Sequence, residues 1–280
     1  MERNARFDSM VFAGGGSRCL WQVGFWSRVD PHLGLSTARI AGVSAGAAMA
    51  CMLRSGRMSA SFERFKKATA ENRRNFYPLN LFNERPLFPH LAMYRESVLS
   101  AIDEAALERI RNGPDILVLM TRPPRWSGVR MAMLIGMLCY AVEKKLFAPV
   151  HPTFASRAGF RSEVVSVREC ATPDDLADLL LQSSCTPPFT PVMYRNGGPV
   201  LDGGLIDNVP VRILGKGSGN TLVLLTRSYR EDRIPRIPGR TYVQPSRPIT
   251  VYKWDYTNPQ GLQDAFDLGC EDGERFLRYS

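Results

Sequence analysis

The chain has 280 residues, 44% hydrophobic and 22% charged, which suits one large α/β domain with a sizeable core and excludes a mostly disordered protein. Its formal charge of +9 is compatible with a solvated basic surface, with attraction to an anionic membrane or with nucleic acid. No apolar run reaches the roughly 20 residues that span a bilayer, and Glu2, Arg3, Arg6 and Asp8 are wrong for a secretory signal peptide. The expectation is a cytoplasmic protein, at most peripheral at membranes. Cys19, Cys51, Cys139, Cys170, Cys185 and Cys270 show neither a CxxC pair nor metal-ligand spacing and read as buried thiols of a reducing compartment.

In chain order, Ser9 to Ala13 is a short apolar strand that runs into Gly14-Gly15-Gly16-Ser17-Arg18 and then a helix carrying Trp21, Phe25 and Trp26. Ile40 and Ala41 end a second apolar run at Gly42-Val43-Ser44-Ala45-Gly46, followed by good helix formers through Leu53. Arg57 to Asn75 has helical spacing with Phe62, Phe65 and Ala68 on one stripe. Tyr77 to Pro89 is irregular, and Leu91 to Arg111 reads as one helix stopped by Asn112-Gly113-Pro114. Ile116 to Met120 has the continuous apolar character of a buried parallel strand. Val129 to Phe147 is helical, its methionine-rich stretch Met131 to Val142 favouring a buried core helix over a lipid-facing wall. Glu163 to Val167 is a strand, Pro173 to Leu181 a helix, and the proline-dense Gln182 to Pro191 an extended path. Val200-Leu201 leads into Asp202-Gly203-Gly204, Thr221 to Thr226 is a last core strand, Arg227 to Trp254 a basic surface excursion, and Leu262 to Phe276 a closing helix. Residues 8–215 form the catalytic core, with 216–280 the C-terminal part of the same domain.

Three glycine-bearing turns follow apolar runs, and in a parallel α/β sheet the carboxyl ends of the strands share the edge where ligands bind. Ser44, on a strand-to-helix turn that needs Gly42 and Gly46, is the candidate nucleophile. Asp202 is the candidate proton acceptor, and the amides of Gly14, Gly15 and Gly16 are the candidate oxyanion donors. Together these make an acyl-transfer site. Nucleotide binding is weakened because the glycine loop lacks the GK[ST] ending and has Cys19 at the last position of G-x-G-x-x-G. A histidine-based triad would draw on Ser44, Asp103 or Asp115, and His151, since no histidine follows Asp202. His151, between Pro149 and Pro152, reads as structural or surface, which favours a Ser-Asp dyad.

With these motifs in this order, the chain resembles the patatin-like phospholipases. In that family a GGGxRG loop forms the oxyanion hole, GxSxG holds the nucleophile and DG[GA] supplies the other catalytic residue. Here those are Gly14 to Arg18, Gly42 to Gly46 and Asp202 with Gly203 and Gly204. Ser183 to Phe189, Asn208 and Pro210 fit the same pattern, whereas Cys19 departs from it by replacing the last loop glycine. The resemblance implies a three-layer α/β/α sandwich with a mainly parallel central sheet. It also implies hydrolysis of acyl esters of phospholipids, lysophospholipids or neutral glycerolipids, with no metal or other cofactor. A lipid is the expected substrate and nucleic acid is not an expected partner; the basic segments Arg54 to Arg74 and Arg227 to Lys253, together with the Met131 to Val142 helix, are expected to make peripheral contact with an anionic membrane surface. The alternatives are a neutral lipase or general esterase on the same dyad, and an inactive lipid-surface regulatory protein.

Overall fold

The computed structural model describes residues 7–33, 38–83, 85–146, 149–151 and 154–279, with the backbone alone at 140, 144 and 146. Glu2, Arg3, Arg6 and Phe147 lie outside the described residues.

In β1 (Ser9–Phe12) the side chains alternate: Met10 and Phe12 join one core cluster and Val11 the other, all fully buried. A strand covered on both faces requires this pattern. The chain continues through α1 (Leu20–Leu33), β2 (Arg39–Val43), α2 (Ala45–Ser55) and α3 (Met58–Glu71). The helix expected from Leu91 to Arg111 is two helices, α4 (His90–Ala101) and α5 (Glu104–Asn112). Ile102 leaves helical geometry at φ −124° and ψ 96°, and the Asp103 carboxylate accepts the Ala106 N–H at 2.9 Å, so an N-cap restarts the helix in mid-run.

Next come β3 (Asp115–Arg122), α6 (Val129–Leu146), α7 (Phe154–Arg157), β4 (Arg161–Ser166), α8 (Pro173–Ser183), β5 (Met193–Arg195), β6 (Gly198–Asp202), β7 (Thr221–Leu224), β8 (Arg240–Val243) and α9 (Pro259–Tyr279). The sheet runs β5-β6-β3-β2-β1-β7-β8, with β4 also on β3. Its β3-β2-β1-β7-β8 part is parallel, whereas β4 and β6 meet β3 antiparallel and β5 meets β6 antiparallel. One face is covered by helices α1, α2, α4, α5, α8 and α9, and its largest fully buried side chains include Trp21, Phe12 and Phe25. Each such side chain contributes about 1.5–3 kcal/mol on burial. On the other side Val11, Ala41 and Val223 pack against Val209 and Leu214, while α6 and α7 pack through Ala132, Met133 and Ala155 onto Leu201, Leu205 and Ile206. The result is a three-layer α/β/α sandwich.

Two further expectations change. The Met131 to Val142 stretch is not a buried core helix: Ala132 and Met133 are buried, but Met131, Leu134 and Leu138 are 54%, 63% and 61% exposed. The helix is apolar nearly all round and the core takes only one side of it. The basic stretch Arg227 to Trp254 is not only a surface excursion, because Arg240 to Val243 forms β8, in register with β7 from Thr221↔Arg240 to Leu224↔Val243. As the outermost strand beside β7, β8 has a single neighbour, so it needs little apolar sequence.

Cys19 is fully buried, with its Sγ 3.5 Å from the Ala13 carbonyl. Close helix approach is supplied elsewhere, between α1 and α9: a Cβ on Gly24 would lie 1.9 Å from the Phe266 carbonyl oxygen, and one on Gly269 would lie 2.1 Å from that of Trp21.

Candidate active site

Ser44 sits between the end of β2 and the start of α2 with φ 54° and ψ −136°, a conformation that costs an L-residue about 1–3 kcal/mol. The turn closes because its flanks lack side chains: a Cβ on Gly42 would be 2.6 Å from Ala47 Cα, and one on Gly46 would be 2.4 Å from the Ala13 carbonyl oxygen. The Ser44 N–H donates to Ser183 Oγ at 2.8 Å, and the Ser183 hydroxyl donates to the Leu119 carbonyl at 2.7 Å. The strained turn is therefore tied to both α8 and β3.

Sheet register brings Asp202 to it. β2 pairs with β3 as far as Val43↔Leu119, and β6 pairs with the next residues of β3, Met120↔Asp202 and Thr121↔Leu201. Since β4 occupies one edge of β3 over this span, β6 continues the edge that β2 leaves. The Ser44 hydroxyl donates to Asp202 Oδ2 at 2.9 Å. The other carboxylate oxygen accepts the Gly204 N–H at 2.7 Å, and the Asp202 N–H donates to the Cys185 carbonyl at 2.7 Å. Thr186 Oγ1 lies 3.4 Å from Oδ2. Burial pushes the Asp202 carboxyl above the usual aspartate range; the charge of Lys253, the Gly204 N–H and the hydroxyls of Ser44 and Thr186 oppose that shift.

The glycine loop divides into a clamp and a rim. Gly14 is the clamp: its N–H donates to the Asn208 carbonyl at 3.0 Å, and its carbonyl accepts Thr226 Oγ1 at 2.6 Å and Asn208 Nδ2 at 2.9 Å. Its amide is thus already used, unlike the sequence expectation that it faces an oxyanion. Gly15 and Gly16 line the cleft beside Ser44. Gly16 has φ +59°, and a Cβ there would be 2.1 Å from the Lys253 carbonyl oxygen, which also accepts the Ser17 N–H at 3.1 Å. Arg18 Nε donates to the Gly15 carbonyl at 3.3 Å, at the same cleft.

The cleft holds about 440 Å³ and runs from Ser44 and Asp202 to Met133 and Met137 of α6 and to Lys253 and Trp254. Phe189 and Trp254 stack at 5.1 Å between ring centres to form one wall. Beyond Ala45 a smaller chamber of about 30 Å³, lined by Met49, Met52, Met58, Phe62 and Phe65, shares Tyr94 and Tyr256 with the cleft. Among the residues lining the cleft Asp202 is the single carboxylate, against Arg18, Arg227 and Lys253.

Sequence reasoning missed His90 and the Lys253 to Tyr256 wall as parts of the site, and it named Ser183 only within a family-like segment and Arg227 only within a basic stretch. His90 borders the cleft, but its Nε2 donates to the Trp254 carbonyl at 2.8 Å, and burial lowers its pKa. The residues that the rival triad would add to Ser44 are elsewhere. His151 lies 3.3 Å from Asp207 Oδ1 through Nδ1 and 3.1 Å from the Tyr242 hydroxyl through Nε2, and is not part of the cleft lining. Asp103 caps α5 and pairs with Arg57 at 2.7 Å, and Asp115 accepts the Ser166 hydroxyl. Among the described residues no three His, Cys, Asp or Glu side chains gather as metal ligands would.

The α/β/α sheet thus sets a buried serine, at a strand-to-helix turn, in a cleft of about 440 Å³ at the ends of its parallel strands. The profile of the patatin-like phospholipases matches residues 10–214, most of the chain, and the chain belongs to that family of lipid hydrolases. No curated protein matches it as a relative. The crystal structure of VipD from Legionella pneumophila is similar over 98% of this chain and 67% of that one, at 12% identity and a TM-score of 0.48.

Proposed function

We propose that the chain is a serine lipid acyl hydrolase of phospholipase A or lysophospholipase type that cleaves carboxylic esters with a Ser44-Asp202 dyad. The observation that carries this is the 2.9 Å hydrogen bond from the Ser44 hydroxyl to Asp202 Oδ2. Asp202 takes the hydroxyl proton as Ser44 Oγ attacks the ester carbonyl. The amides of Gly15 and Gly16 hold the oxyanion, while Gly14 fixes the loop through Asn208 and Thr226. The proton passes from Asp202 to the leaving alcohol. Water, deprotonated by the same carboxylate, then releases the fatty acid from Ser44. The cationic lining of Arg18, Arg227 and Lys253 supports a phosphate-bearing lipid over a neutral acylglycerol, and Met133 and Met137 support an acyl chain along the α6 wall of the cleft.

The test is hydrolysis of a panel of phospholipids, lysophospholipids and acylglycerols, together with labelling by a fluorophosphonate. Wild type is expected to be labelled at Ser44 and to release fatty acid, whereas Ser44→Ala does neither. Wild-type rates in Ser44→Ala or Asp202→Asn would overturn the dyad. Equal turnover of neutral and phosphate-bearing lipids would favour a general esterase, and absence of labelling would favour a regulatory protein.

A further inference from the structure

Helix α6 carries an apolar stripe that the protein itself does not cover. Met131, Leu134, Leu138 and Val142 recur at helical spacing on its outer side, 54%, 63%, 61% and 38% exposed. Arg130 and Lys145 are exposed near its two ends. Its acidic residue, Glu143, is buried and accepts the Phe154 N–H at 2.9 Å, so the outer side presents apolar and cationic groups alone among its described side chains.

A second such element stands between α3 and α4. Leu79, Leu81 and Phe82 are 73%, 70% and 85% exposed, and Arg73, Arg74 and Arg85 are exposed on either side of them. Exposed apolar clusters of this kind mark interaction surfaces.

Both elements are continuous with the cleft. The α6 residues Met133 and Met137 form part of its wall. The 76–82 segment reaches it through rings, Phe76 on Phe88 at 5.1 Å and Phe88 on Phe189 at 5.2 Å, with Phe189 lining the cleft. The two apolar elements are thus lips of one mouth, and each is bordered by cations.

We propose that these lips are a docking surface for an anionic lipid bilayer. The α6 stripe and the Leu79, Leu81 and Phe82 turn enter the headgroup layer, while the arginines and Lys145 meet its negative charge. The mouth of the cleft then opens onto lipid, and an acyl chain passes along apolar surface from the bilayer to Ser44. A bilayer fits better than a protein partner because basic charge accompanies both apolar elements and because the surface ends at the cleft. The assignment rests on the lipid-hydrolase function only for what the cleft receives.

Two measurements separate docking from catalysis. In the first, Ser44→Ala protein, which leaves the lipid intact, is sedimented with vesicles of phosphatidylcholine with and without phosphatidylserine. Binding is expected to need phosphatidylserine, to weaken with salt, and to fall about tenfold or more on adding Leu134→Glu with Leu138→Glu, or Leu79→Glu with Phe82→Glu. In the second, the same pairs are placed in active protein, where they are expected to leave turnover of a soluble short-chain ester and the Tm unchanged while vesicle hydrolysis falls about tenfold. Wild-type vesicle binding by both pairs would overturn the assignment, as would binding indifferent to anionic lipid and salt. A dimer that Leu134→Glu with Leu138→Glu dissolves, without vesicle binding by the parent, would give the stripe to a second copy instead. If Ser44→Ala binds vesicles as expected and wild type turns over no ester, docking stands and the catalytic function fails.

Discussion

The Asp202 carboxylate is asked to be both desolvated and charged. Burial raises its pKa and the Lys253 charge draws it back, while a base must be ionised to accept the Ser44 proton. Activity is therefore expected to fall as pH drops through a pKa above the ordinary aspartate range. Lys253→Gln should move that acid limb to higher pH and Lys253→Arg should restore it, as read from kcat/KM against pH. The Lys253 carbonyl that holds Ser17 survives both substitutions. Stability carries the matching sign: a carboxyl whose pKa is raised by folding contributes stability that is fully present below its unfolded pKa and lost as pH rises through the folded one. In its ionised form Asp202 is thus a cost to the fold. Asp202→Asn should lower activity about 10²–10⁴-fold yet raise the Tm in a thermal melt.

At the level of elements, α1 and α9 act as one clamp. Trp21 Nε1 donates to Asp272 Oδ2 at 2.8 Å, and the same oxygen accepts the Ser246 N–H at 3.0 Å. Gly269 lets the two backbones touch, so Gly269→Ala should force the helices apart at a cost of about 1–3 kcal/mol, seen as a lower urea midpoint at unchanged slope. The central strands and the three glycine turns were legible in the sequence because each strand is apolar on both faces and each turn needs residues without a Cβ. The α4–α5 break was hidden because Asp103 lies in a run that keeps helical spacing on both sides. Strand β8 was hidden because Arg240 to Val243 satisfies the sheet from its edge with two polar residues in four. The Ser183 contact with the Ser44 turn and the Lys253 to Tyr256 wall escaped for another reason: nothing in a local pattern states which distant loop will close over a turn.

Across the whole molecule, burial governs the thiols. Five of the six cysteines are buried and only Cys139 is partly exposed; desolvation pushes Cys19 up to about 12 and Cys170 up to about 11. An aromatic disulfide reagent should titrate Cys139 alone in the native protein and all six thiols after unfolding. Among the described residues no helix is long and apolar enough to cross a membrane. The segment from Lys253 to Tyr256 is joined to parts of the protein made much earlier: Lys253 holds Ser17, Trp254 holds His90, and the Tyr256 carbonyl accepts Asn72 Nδ2 at 2.8 Å. During synthesis the ribosome therefore delivers Ser44 and Asp202 well before the segment that fixes the glycine loop beside them.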